Sequence, residues 1–115
     1  MITKEIKQII EENVLALATV NKEGNPHCIA VGDIKVISNK QILIGDNYMV
    51  ETIKNIKENS NIALTVWNNN EGYEFKGKAE YFTKGKWLEL IKKIHQGYPA
   101  KGAILVTINK IKKLA

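Results

Sequence analysis

From Tyr73 to Tyr81 the chain alternates without a fault: Tyr73, Phe75, Gly77, Ala79 and Tyr81 fall on one side, Glu74, Lys76, Lys78 and Glu80 on the other. A period of two over that length is the pattern of a strand with one buried and one wetted face. It excludes an all-helical fold, in which the same residues would wrap around every side of a helix. It also argues for antiparallel neighbours, because strands of parallel sheets are buried on both faces and read as unbroken apolar runs. A sheet must therefore form around this strand, which is predicted to reach Phe82.

The flanking segments supply the partners. Val14 to Val20 is a short apolar run ending in the turn cluster Asn21-Lys22-Glu23-Gly24-Asn25. Pro26 opens a second strand predicted to run to about Ile37, and Ser38-Asn39-Lys40 makes the next turn. Gln41 to Gly45, Ile62 to Trp67 and Ala103 to Lys112 complete a set of six strands. Three segments carry helical spacing instead. Ile2 to Asn13 places Ile2, Ile6, Ile9 and Ile10 on one stripe behind a Thr3 N-cap. Met49 to Glu58 turns Val50, Ile53 and Ile56 inward, with Asp46 or Asn47 expected as the cap. Lys84 to His95 is expected to bury Trp87, Leu88, Ile91 and Ile94. The predicted class is α+β and β-rich. Six antiparallel strands, mostly joined by hairpins, close a small barrel and remove exposed edges, with three helices beside it.

At 115 residues there is room for one domain, 1–115. The 44% hydrophobic share suits a globular core and excludes disorder. One cysteine, Cys28, rules out an internal disulfide and makes no zinc site alone. The opening Met1-Ile2-Thr3-Lys4-Glu5 is not a signal-peptide pattern. No stretch approaches the roughly 18 apolar residues of a membrane span. The expected setting is a reducing cytoplasm without a membrane partner. The net charge of +5 is unevenly placed: from Lys84 onward there are eight lysines against one acid, Glu89. Such a region draws anions. Yet every basic residue is lysine, and a nucleic-acid reader relies on the planar fork of arginine. Nucleic acid is therefore not the expected partner. The alternative is a basic barrel stacking single-stranded bases on Tyr48, Trp67 or Tyr73.

No catalytic constellation is visible. His27 and Cys28 adjoin, but neighbours on a strand face opposite ways and do not share a proton; Cys28 reads as a small core filler. His95, ending a lysine-rich helix, reads as a surface residue. Neither metal-ligand spacing nor a glycine-rich phosphate loop is present. One junction stands out. Gly45-Asp46-Asn47-Tyr48-Met49 passes from strand straight into helix, and free amides at a helix N-terminus attract anions. Thr52 adds a hydroxyl there and Lys54 a charge; an ordinary strand-to-helix cap is the simpler reading.

The order of the pieces resembles the FMN-binding split-barrel superfamily, the group of pyridoxamine-phosphate oxidase and the small bacterial FMN-binding proteins. Leu15-Ala16-Leu17-Ala18-Thr19 is followed by Glu23-Gly24-Asn25-Pro26-His27, similar to that group's small apolar strand and D/E-G-x-P-H turn. Lys35-Val36-Ile37 comes next. Glu51-Thr52-Ile53-Lys54-Asn55-Ile56 then resembles its K-T-x-x-N-I/L helix, Asn59 to Leu64 its next strand, and Phe75 to Glu80 its (V/I)-x-G-x-A strand.

The resemblance implies a six-stranded split β-barrel holding FMN in a groove between two copies of the chain, in an oxidoreductase or electron carrier. It places the flavin ring against the backbone of Ile44, Gly45, Asp46 and Asn47 and beside Ile29, Ala30 and Val31, with the phosphate on Thr52. The redox partner or substrate is not implied. Glu51 stands where the family usually has lysine. A carboxylate about 6 Å from a phosphate opposes it by several kcal/mol at an effective dielectric of about 20. Retained FMN is the expectation, with Glu51 turned to solvent and the phosphate held by amides, Thr52 and a lysine from elsewhere. A deazaflavin or a cofactor-free barrel is the alternative.

Overall fold

The computed structural model describes residues 1–114. The elements are α1 (Lys4–Glu12), β1 (Leu15–Val20), β2 (Pro26–Val31), β3 (Ile34–Val36), β4 (Gln41–Asp46), α2 (Glu51–Glu58), β5 (Asn61–Trp67), β6 (Gly72–Phe82), α3 (Lys86–Ile94) and β7 (Gly102–Lys113). One antiparallel sheet takes in all seven strands in the order β2-β1-β5-β6-β7-β4-β3. The class is the expected β-rich α+β, with seven strands where six were predicted.

The extra strand comes from a break. The segment predicted as one strand from Pro26 divides at Gly32 and Asp33 into β2 and β3. These are the two margins of the sheet, so two residues carry the chain from one margin to the other. That requires the sheet to curl until its margins come close, which the right-handed twist of strands produces. The result is a half-barrel with a seam: among the described residues no ladder joins β2 to β3. The expected full closure is therefore corrected to an open one.

The interior is apolar. Leu15 and Leu17 meet Ile42 and Ile44, Leu64, Phe75, and Ile104 and Val106 there. Ile6, Ile9 and Ile10 of α1 join the same core, and Thr3 caps that helix as expected by accepting from the Ile6 amide at 3.2 Å. Opposite Lys76 and Gly77 the register slips by one residue of β7. The strands approach so closely that a Cβ on Gly77 would overlap the Thr107 carbonyl, which is why the alternation carries glycine there.

A second cluster lies outside the barrel, where Leu43, Ala103 and Leu105 are covered by Leu88 and Ile91 of α3. β4 is thus buried on both faces, and its run reads as apolar without alternation. Trp87 and Ile94 are only half-buried, contrary to expectation: at nine residues α3 turns one narrow stripe to the sheet. No helix among the described residues is long and apolar enough to cross a membrane.

A candidate functional site at the seam

A cleft of about 440 Å³ opens where β2, the Gly32–Asp33 corner, Gly45 and the segment from Asn47 to Thr52 meet. Of the residues singled out from sequence, Ile29, Ala30, Val31, Gly45, Asn47 and Thr52 line it. The side chains of Ile44 and Asp46 do not. Ile44 is packed in the barrel interior. Asp46 is fully buried, with Oδ2 accepting from the Tyr81 hydroxyl at 2.6 Å and Oδ1 from the Met49 amide at 2.9 Å. Burial, reinforced by the Asp46 bond, raises the Tyr81 phenol well above its ordinary range, so it stays a donor.

The helix start also differs from expectation. α2 begins at Glu51, two residues later than predicted, and its N-cap is Val50 with no side-chain bond. Neither Asp46 nor Asn47 caps it, because Asp46 is committed to the turn at Met49 and to Tyr81. The first helical bond runs from the Lys54 amide to the Val50 carbonyl at 3.1 Å. The amides of Glu51, Thr52 and Ile53 therefore precede the ladder, and the helix's partial positive charge is uncapped at the cleft. Thr52 is buried at the cleft wall, whereas Glu51 is exposed. Lys54 does not join Thr52; it faces a separate groove with Lys57 and Lys101. His27 is the one residue of the cleft lining that can carry positive charge. Asn55 of the same motif is structural: buried, it donates to Thr19 Oγ1 at 3.1 Å and ties α2 to β1.

Sequence reasoning missed the other end of the cleft. Asp33, 4% exposed, lies against Gly45, where a Cβ would overlap its carboxylate. The Gly45 amide donates to the Asp33 carbonyl at 2.8 Å, and Asp33 Oδ1 bonds His95 Nδ1. His95, read as a surface residue, is instead 24% exposed in its side chain and packed edge-on to Tyr98. The far carboxylate oxygen, Asp33 Oδ2, is buried without a partner, as is Asn47 Oδ1. The available signal was a glycine and a charge, Gly32-Asp33, inside an otherwise strand-like run, which marks a corner and a buried charge needing a partner. Cys28, read as core filler, is exposed on the outer face of the edge strand β2.

The profile of the family described as pyridoxamine 5'-phosphate oxidase matches residues 2–114. The chain belongs to that family. It thereby falls in the FMN-binding split-barrel superfamily that its motifs resemble. The uncharacterized protein MJ0282 of Methanocaldococcus jannaschii is 34% identical, over 98% of this chain and 80% of the relative. Among solved structures, HupZ of Group A Streptococcus superimposes with a TM-score of 0.92 at 29% identity, covering 99% of this chain and 94% of that one. An FMN-binding protein from Syntrophomonas wolfei subsp. wolfei gives 0.84 at 19% identity, over 95% of this chain and 83% of that chain, a likeness of fold. In this pyridoxamine 5'-phosphate oxidase family member, the seam cleft is the concave site that combines apolar walls, helix-start amides and unanswered polar atoms.

Proposed function

We propose that this chain is a single-domain FMN-binding flavoprotein of the cytoplasm, an oxidoreductase or electron carrier that works as a homodimer. The observation that carries the reading is the uncapped start of α2 opening into the seam cleft. Amides of Glu51, Thr52 and Ile53, with the Thr52 hydroxyl, suit a phosphate. Ile29, Val31 and Met49 form apolar walls beside the backbone of Gly32 and Gly45, which suits a flat ring. Bound there, the flavin supplies the redox chemistry. The chain's residues bind and orient it, and no side chain is needed as acid or base.

Glu51 is compatible with this role because it is exposed at the rim rather than buried against the amides. His27, on β2, shares the cleft lining with Thr52 and offers an imidazole N–H where the family usually has lysine. The second copy is supported by continuity. Ala30 lines the cleft and also belongs to an outer face of small residues, paired with Ala16 and followed by Cys28 opposite Ala18. A second sheet seated on that face would close the cleft.

Titration with FMN, followed by flavin fluorescence and thermal unfolding, tests the reading. Saturable quenching and a raised Tm are expected, with His27→Ala weakening binding by roughly threefold to tenfold, the range of one hydrogen bond. A protein whose spectrum and Tm ignore added FMN would refute the assignment.

A further inference from the structure

The unused chemistry of the molecule is concentrated at the corner of the seam, away from the helix start. Asp33 is almost completely buried, yet only one of its oxygens is answered, by His95. Asn47 Oδ1, two residues beyond Gly45, is likewise buried and unanswered. A buried carboxylate oxygen or amide carbonyl without a donor is costly, and native structures leave few. Both residues line the cleft. A ligand that suits this end must bring hydrogen-bond donors, since an edge made only of acceptors would leave both oxygens unpaired.

His95 fixes which oxygen is left unanswered. Its Nδ1 holds Oδ1 from the end of α3, while Gly45, by lacking a side chain, leaves room for the carboxylate to lie over its Cα. The backbone bond from Gly45 to Asp33 locks the corner to β4. Asp33 is thus held by three elements: its own corner, the end of β4 and the end of α3. A group immobilised in that way is suited to discrimination, because it cannot turn to accommodate a ligand of the wrong polarity.

We propose that Asp33, positioned by His95, is a specificity-determining residue that accepts a hydrogen bond from a ring N–H of the ligand in the cleft. This rests on the flavin reading, and there the donor is the imide N–H of the ring. The proposal assigns Asp33 to ring selection and the α2 start to the phosphate, so the two ends of the cleft recognise separate parts of one molecule.

The test compares FMN with its N3-methyl analogue, which keeps the phosphate but lacks the imide N–H. Wild-type protein is expected to bind the analogue at least about tenfold more weakly, the scale of leaving a buried acceptor unpaired. Asp33→Asn should reduce that preference to under about threefold: the new oxygen is retained by His95 and the amide turns a donor toward the imide. His95→Gln, which keeps a donor to Asp33, should preserve most of the preference. FMN binding with no discrimination by the wild type overturns the assignment while leaving the flavin reading intact. A preference unchanged in Asp33→Asn overturns it as well. Binding of neither flavin removes both readings together.

Discussion

On the β4–β7 half of the sheet, Leu43, Ala103 and Leu105 turn outward beneath Leu88 and Ile91 of α3 and are buried. On the β1–β2–β5 half, Ala16, Ala18 and Ala63 turn outward but stay half-exposed, and Cys28 and Ala30 stay exposed. The ladder registers set these residues side by side: Ala16 opposite Ala30 and Thr65, Ala18 opposite Cys28 and Ala63. The side-chain sizes follow the difference in cover. Leu43 and Leu105 occur where a helix removes them from water, and the alanines and Cys28 where no described helix does, with Trp67 at the end of β5 as the large, exposed exception. A large residue left bare costs more apolar exposure than an alanine. Small side chains also leave a flat face that another sheet can approach closely. One half is covered within the chain; the outer face of the other is left open by the described helices.

The sharpest way to break that contrast is to empty the covered half. Ile91→Ala removes a fully buried side chain from under α3 and should cost about 2–5 kcal/mol in urea unfolding. A loss below about 1 kcal/mol would mean that α3 contributes little as a cover. Next comes the seal inside the barrel. Tyr81→Phe deprives the buried Asp46 carboxylate of its 2.6 Å donor, with an expected loss of about 1–3 kcal/mol or somewhat more. The same residue gives a pH signature. Because folding raises the Tyr81 pKa, the folded chain holds that proton more tightly than the unfolded chain. This share of stability is whole below the ordinary phenol value of 10.0 and is lost as the pH rises above it. Tyr73, raised by desolvation and then by its bond to Glu71, adds in the same direction. Unfolding midpoints measured from neutral pH to pH 11 should fall at the alkaline end, less steeply in Tyr81→Phe. The smallest stability effect belongs to the bare half. Ala18→Glu should leave the unfolding free energy of dilute protein within about 0.5 kcal/mol while abolishing the proposed dimer in light scattering. A dimer that survives the substitution would place its interface elsewhere.

Much of the fold was legible because it is written in short-range patterns. The alternation of β6, the isoleucine stripe of α1 with its Thr3 cap, and the turn after Val20 are each readable within a dozen residues. The strand count failed at Gly32-Asp33, where a run that looks continuous locally crosses from one margin of the sheet to the other. The helix cap failed for a related reason. Asp46 has the right residue type and position, but Tyr81, remote in sequence, takes one of its oxygens. Six of the eight proposed ligand-binding residues line the cleft; the family resemblance supplied them, Gly45, Asn47 and Thr52 from the strand-to-helix junction and Ile29, Ala30 and Val31 from the end of the second strand. Asp33 and His95 belong to no local motif. They lie 62 positions apart and meet only because α3 packs across β4.

The sequence alone determined the periods, and with them the strands, the helices and the apolar faces, since side-chain alternation and backbone preference act between near neighbours. It also determined membership of the family, through motif order. Tertiary structure decided which charges are buried, which carboxylate oxygen is answered, and which outer face is left without a cover. Those depend on desolvation and on partners that only the curled sheet brings within hydrogen-bonding distance, and no spacing along the chain encodes them directly.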